Sequence, residues 1–481
     1  MALKKLDFEI KLFIVIGLFI FYLVTKEAYT VPLTHDEYNT IACSQTSFWD
    51  IVTYKDPVPN NHILNTLFIK LNIALFGDHL FTNRLHNFLF FIPFFVYLVL
   101  SSRLLFKDIG LRIGLVCLIV LQPFLLDFFA VTRGYGLCIS FQMISIYYLI
   151  KRLRDGNVKD LAKSAGWAAV GVYANFTLLN YFIPLIFVLL VSSIRTYFKT
   201  NKNLFFRECG ILFTIASILA IIIIIPVQKM VSTKQFVYWG SKGFYEDTAK
   251  QLFIGMRSGV EYFGTTNETL VILILSFIVS VILLGLVFMY RLKDKKYLIY
   301  FYSLLLLIIG YNIAQFYFLE VPYLNSRTAL FFIPLVSIVF YLGLESFYNF
   351  SKTGGLVLLI LTNSLVLQHF IRGYKVNVIH EWSYDASTFE VLDYYKNLVE
   401  SGQAPKPVKV NCYWIFYPSM RYHVEHGYGE FVELAPYNTK IDDDQQSLYY
   451  YTESSEREKL LSRFDIVKDI GGKLIMKSKV Q

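Results

Sequence analysis

Residues 270–290 read LVILILSFIVSVILLGLVFMY, an apolar run without one charged side chain. An α-helix rises 1.5 Å per residue, so about 20 such residues cross the roughly 30 Å hydrocarbon core of a bilayer. The same character recurs in LFIVIGLFIFYLV (12–24) and LAIIIIIPV (219–227). Of the 481 residues, 55% are hydrophobic, 17% aromatic and only 17% charged, well below the roughly 25% charged residues of soluble domains. The expected fold is therefore a polytopic α-helical membrane protein of about eleven transmembrane helices. These spans fall near 10–30, 85–105, 111–129, 134–150, 162–176, 179–198, 208–227, 269–290, 297–318, 328–346 and 355–371.

Lysine and arginine in the short loops set the orientation. With the N-terminus in the cytoplasm, the inner segments carry Lys4, Lys5 and Lys11, then Arg103, Lys107 and Arg112, then a run from Lys151 to Lys163. Further inner groups are Arg195 to Arg207 and Arg291 to Lys296. The net charge of +9 is thus spent on inner loops and calls for no nucleic-acid partner. The five cysteines form no CxxC pair, and nothing in their spacing brings Cys43 to Cys412 on the outer side.

Two domains follow from the pattern. Residues 1–371 form the membrane domain, with long outer loops at 31–84 and 228–268. In the first loop, HILNTLFIKLNIALFG (62–77) places Ile63, Leu67, Leu71 and Leu75 at four-residue steps, an amphipathic helix on the membrane surface that Gly77 ends. In the second, residues 244–264 are expected to form another short surface helix. Residues 372–481 turn polar and read as a small extramembrane α/β domain: helices at 387–401 and 453–463, a strand at 408–414, and a closing hairpin around Gly471 and Gly472.

Chemistry gathers on the outer face. THDEYNT (34–40) places His35, Asp36 and Glu37 directly behind the first span, where a carboxylate is partly desolvated and suited to proton transfer. VTRGYG (131–136) brings Arg133 and Tyr135 to the outer ends of two spans, and VPYLNSR (321–327) does the same for Tyr323, Asn325 and Arg327. Each arginine taken alone fits an interfacial anchor as well as a ligand. Together the groups form one chemical idea: carboxylates to deprotonate a hydroxyl, guanidinium groups to hold a phosphate. A divalent metal is a further option through His35, although three consecutive residues cannot all face one ion without an unusual backbone. His423 and His426, three residues apart, lack the HExxH spacing of zinc proteases and read as surface histidines.

The acidic pair after the first span, the ALFGDHLFTNRL stretch (74–85), VTRGYGL and NSRTALFFIPL (325–335) resemble integral-membrane glycosyltransferases of the GT-C class. The likeness is strongest to the bacterial protein mannosyltransferase and ArnT-like or RgtA/B/C/D-like branch, and it covers about residues 10–345. It implies inverting transfer of a sugar from a polyprenyl-phosphate donor to a glycan, lipid or protein acceptor, on the periplasmic face of a bacterial inner membrane. Carried onto this chain, it makes Asp36 the general base and Glu37 its helper or a metal ligand. Arg133 and Arg327 would then bind the donor phosphate, with His35, His62, Tyr135, Tyr323 and Asn325 in the substrate pocket. The chain departs from the pattern at NNHILN (60–65), which keeps His62 without the prolines that often follow it. The competing expectation is a transporter or lipid flippase that uses the Asp36/Glu37 pair for coupling.

Overall fold

The computed structural model describes residues 2–199, 202–235, 239–262, 264–439 and 447–479. The side chains of Lys4, Lys5, Arg195 and Lys199, counted above among the inner bases, lie outside that description. The chain opens with α1 (Ala2–Thr30), and the first outer loop then folds as three helices, α2 (His35–Ser44), α3 (Phe48–Val52) and α4 (Ile63–Phe76). The membrane helices continue as α5 (Leu80–Leu105), α6 (Ile109–Val120), α7 (Pro123–Ala130), α8 (Tyr135–Asp155), α9 (Val158–Ala174), α10 (Leu179–Lys199) and α11 (Lys202–Ser232). After the short α12 (Lys250–Met256) come α13 (Asn267–Val287), α14 (Lys295–Leu319), α15 (Phe332–Phe350) and α16 (Lys352–Gly373).

Among the described residues, eight helices are long and apolar enough to cross a membrane, and nine if α6 and α7, bent by 60° at Leu121–Gln122, count as one broken span. The expectation of eleven also counted α8 and α9. These two fall short of that standard because they line the protein interior instead of lipid. Gln142, Ser140, Ser145 and Ser164 are all buried there, and α9 has only 17 residues. They are joined by reciprocal bonds, Ser145 Oγ to the Ser164 carbonyl (2.8 Å) and Ser164 Oγ to the Ser145 carbonyl (3.0 Å). Small residues do the same elsewhere. A Cβ on Gly285 would stand 2.3 Å from the Gly343 Cα, so α13 and α15 cross backbone to backbone, as small-residue helix contacts in membranes allow.

In α4 the buried face carries Asn65, Thr66 and Asn72 while Leu71, Leu75 and Phe76 are exposed. Leu71 and Leu75 of the expected apolar stripe are therefore turned outward, as on a helix lying on lipid, whereas Ile63 at its start and Ile69 are buried in the protein. In the second outer loop the expected surface helix is a wide turn, Phe244–Ala249, running into α12.

Beyond α16, a linker leads to α17 (Thr388–Glu400), α18 (Tyr417–His423), α19 (Arg457–Leu460) and five strands: β1 (Val408–Cys412), β2 (Val432–Leu434), β3 (Tyr449–Glu453), β4 (Phe464–Ile470) and β5 (Lys473–Ser478). The sheet order is β2-β1-β3-β5-β4, with β1 parallel to both its neighbours and the last three strands antiparallel. The β4–β5 turn falls on Gly471 and Gly472, both at positive φ, where glycine carries no Cβ penalty. Val391, Leu392 and Tyr395 of α17 pack on Val408, Val410, Tyr451 and Ile475 of the sheet. This domain rests on the first outer loop. The Leu33 amide donates to His423 Nε2 (2.9 Å), and the His35 amide donates to Asp385 (2.7 Å).

Candidate active site

Arg133 sits on the turn between α7 and α8. Gly134, at φ 71°, permits that turn, because a Cβ there would meet the Ala174 carbonyl at 2.7 Å. Behind it Asn65 holds the backbone, donating from Nδ2 to the Thr132 carbonyl (3.2 Å) while its Oδ1 accepts from Asn87 (2.9 Å) and bonds His86 Nε2 (2.9 Å). Arg327 rides on the short turn Ser326–Ala329, tightened by the Asn325 amide donating to Thr328 Oγ1 (2.7 Å).

The two guanidinium groups meet at Asp36. Arg327 Nη2 lies 2.9 Å from Asp36 Oδ2 and Arg133 Nη2 lies 3.3 Å from the same oxygen. Burial alone would raise the Asp36 carboxyl, but the charges of Arg133 and Arg327 outweigh it and hold the group below the ordinary aspartate value. Its side chain retains 15% of its surface, so the carboxylate is not sealed. Arg133 also donates to Thr40 Oγ1 (2.6 Å) and Asn60 Oδ1 (3.2 Å), yet its buried Nε has no partner.

A cavity of about 270 Å³ opens against this cluster, lined by Asn60, His62, Arg133, Tyr135, Asn325 and Arg327 among others. His62 packs edge-on to Tyr135 (centroids 5.6 Å apart) and is held neutral, its pKa driven well down by burial and by Arg133. Its Nε2 is buried without a partner.

Two groups that sequence reasoning missed join the two arginines. Glu381 accepts from Arg327 Nη1 (2.6 Å) and from Ser326 Oγ (3.0 Å) and lines the same cavity. The ring of Trp382 lies 5.0 Å from the Arg327 guanidinium carbon and 6.0 Å from that of Arg133, within cation–π range. Both come from the linker after α16, which is fixed where His380 Nδ1 and the His380 amide reach Asp127 Oδ2 of α7 (2.7 and 2.8 Å). The only signal in the sequence was a charged and aromatic pair just past the last apolar run.

Four of the expected site residues do not line the cavity: Asp36, which the two lining arginines hold, and three that lie elsewhere. Glu37 points inward, the opposite way from Asp36, because consecutive helical residues diverge by about 100°. Its carboxylate is fully buried on Arg84, which donates from Nε (2.8 Å) and Nη2 (2.6 Å), and it caps α2 through Thr34. His35 faces the sheet domain, its Nδ1 2.8 Å from the Ile415 carbonyl and its ring against Trp414. Tyr323 is buried and stacked on Phe316 (4.4 Å). The divergence of His35, Asp36 and Glu37 also separates the residues through which a metal was expected. Among the described residues, no group of three or more His, Cys, Asp or Glu gathers to hold an ion.

Residues 60–228, about a third of the chain, match the family model described as dolichyl-phosphate-mannose-protein mannosyltransferase. No curated protein sequence matches the chain. Among solved structures, ArnT from Cupriavidus metallidurans in the apo state aligns over 99% of this chain and 98% of that one at 10% identity, with a TM-score of 0.50. The same protein bound to undecaprenyl phosphate aligns over 97% of each chain at 10% identity with a TM-score of 0.47. The Archaeoglobus fulgidus oligosaccharyltransferase in complex with zinc and sulfate aligns over 91% of this chain and 68% of its own at 11% identity, with a TM-score of 0.40. The long apolar helices, the small C-terminal sheet domain and the end-to-end alignment with ArnT give this chain an ArnT-like fold.

Proposed function

We propose that the chain is a glycosyltransferase that takes its sugar from a polyprenyl-phosphate donor and passes it to an acceptor hydroxyl on the periplasmic face of the inner membrane. The observation that carries this reading is the junction of Arg133, Arg327 and Asp36 beside a cavity that both arginines line. Two guanidinium groups suit a phosphate monoanion or dianion. An aspartate between them suits the acceptor proton.

The chemistry is a single displacement. The acceptor oxygen attacks the anomeric carbon, the bond to the phosphate oxygen breaks, and the lipid phosphate leaves with the electron pair. Asp36 takes the hydroxyl proton. One displacement inverts the anomeric centre. While both arginines press on Asp36 it is a weak base; a donor phosphate that draws Arg327 and Arg133 onto itself raises its basicity at the moment of use. The matching family model, described as a dolichyl-phosphate-mannose-protein mannosyltransferase, supports the choice of a lipid-phosphate sugar donor.

The test is release of undecaprenyl phosphate from undecaprenyl-phosphate-linked sugars by the full chain in nanodiscs, with cell-envelope membranes supplying acceptor. Asp36→Asn should cut release by about 10²–10⁴-fold, the range of general-base catalysis, with the lipid still bound. Arg133→Ala should raise the donor KM. Wild-type turnover in Asp36→Asn would remove the base, and an unchanged KM in Arg133→Ala would remove the phosphate site.

A further inference from the structure

The cavity is also lined by residues that no step above uses. Among them are Asn175, Phe176 and Thr177, where α9 turns into α10, with Tyr54 and Met230. Tyr54 and Phe176 stack there, ring centroids 5.8 Å apart at 23°. Asn175 caps the turn, its Oδ1 accepting from the Thr177 amide at 3.0 Å. That bond fixes the orientation of the side-chain amide. The Nδ2 donor of Asn175, in a residue only 2% exposed, has no partner among the described residues, and Asn175 lines the cavity. His62 Nε2, on an imidazole held neutral, likewise has none among them.

Buried polar atoms without partners are costly, by about 1–3 kcal/mol each, unless a ligand satisfies them. Among the described lining residues other than Arg133, Arg327 and Glu381, the polar groups are amides, hydroxyls, an indole and a neutral imidazole. Aromatic faces beside neutral donors and acceptors fit a ring of hydroxyls and C–H groups. The one acid among the described lining residues, Glu381, is already engaged by Arg327 and Ser326, so an ammonium group would be buried without a free counter-charge, which is costly.

We infer that Asn175, Phe176, Thr177 and His62 form the sugar subsite and that it takes an uncharged sugar and rejects an amino sugar. This rests on the reading of the site as one for a lipid-phosphate donor. It adds where the sugar lies and which class of sugar is accepted.

Binding of three probes to the full chain in nanodiscs separates the possibilities: undecaprenyl phosphate, undecaprenyl-phosphate-linked mannose, and undecaprenyl-phosphate-linked 4-amino-4-deoxyarabinose. The mannose conjugate should bind at least tenfold more tightly than bare undecaprenyl phosphate, and the amino-sugar conjugate no more tightly. Asn175→Asp keeps the oxygen that caps the turn but trades the Nδ2 donor for negative charge, so it should lose the mannose increment and favour the amino-sugar conjugate. Equal binding of the two conjugates by the wild type, or an unchanged preference in Asn175→Asp, overturns the subsite. Failure of bare undecaprenyl phosphate to bind sinks the donor reading beneath it.

Discussion

Replacing Glu37 by glutamine removes one charge and almost no volume, and the structure assigns it a large effect on stability. The carboxylate accepts from Arg84 Nε and Nη2 (2.8 and 2.6 Å), from the Thr132 amide (2.8 Å), and from the Thr34 amide and hydroxyl (3.0 and 3.1 Å). Both side chains of the ion pair are 0% exposed. Glutamine leaves the Arg84 charge buried without its counter-ion and turns an NH2 group toward donors on one side of the site. Breaking a buried pair by removing one partner costs about 3–5 kcal/mol. Since 1.4 kcal/mol is tenfold, hydrogen exchange at the Thr132 amide should accelerate by roughly 10²-fold or more in Glu37→Gln. The double variant Glu37→Leu/Arg84→Met, which removes both charges, should recover most of that protection. Burial alone would raise the Glu37 carboxyl, but Arg84 and the hydrogen bonds hold it below the glutamate value of 4.5. Its contribution is therefore complete above pH 4.5 and is lost as pH falls through the lower folded value, so the variant and the wild type should converge in acid. If Glu37→Gln keeps wild-type protection yet loses transfer, the assignment of Glu37 to structure is wrong and the residue acts in the reaction.

Glu381 occupies one fork of Arg327 and lines the cavity, so it competes with an incoming phosphate. Removing a like charge roughly 5 Å from the phosphate, screened by partial exposure, is worth about 1–2 kcal/mol; Glu381→Gln should bind undecaprenyl phosphate about five- to thirty-fold more tightly, and weaker binding would make Glu381 a supporting residue. His423 accepts from the Leu33 amide where the sheet domain meets the first outer loop, and burial, with the charge of Arg84, depresses its pKa to about 3. A histidine depressed in the folded state stabilises fully above its ordinary 6.5 and progressively less below it. Docking of the sheet domain should thus weaken by about 2 kcal/mol between pH 6.5 and 5, read as faster exchange at Leu33. His423→Gln, which keeps an acceptor there, should flatten that dependence, and an equal slope in the variant would refute the assignment.

The membrane helices were legible because lipid demands one simple property, an uncharged run of sufficient length, and α13 or α11 shows it without context. The helices α8 and α9, which the sequence also reads as spans, are less apolar than the others because their neighbours are protein. Once Gln142 can donate to the Phe331 carbonyl (2.8 Å), a helix need not be apolar to sit at membrane depth. The same distinction divides the acidic pair. Position in the chain announced both Asp36 and Glu37, but which of them meets Arg133 and Arg327 is set by a rotation of about 100° along α2 and by a partner, Arg84, 47 residues further on. Arg84 stood inside a quoted motif without drawing notice, since an arginine's burial depends on contacts that no local pattern records. Glu381 and Trp382 were less accessible still. They reach Arg327 across 54 and 55 residues by way of a linker that looks like a boundary between domains. That linker is anchored to α7 by His380 and Asp127 and to the outer loop by Asp385 and the His35 amide. A segment held at both ends with its middle residues on both arginines belongs to the site. Dividing the chain at residue 371 therefore separates Arg327 from the Glu381 carboxylate that pairs with it.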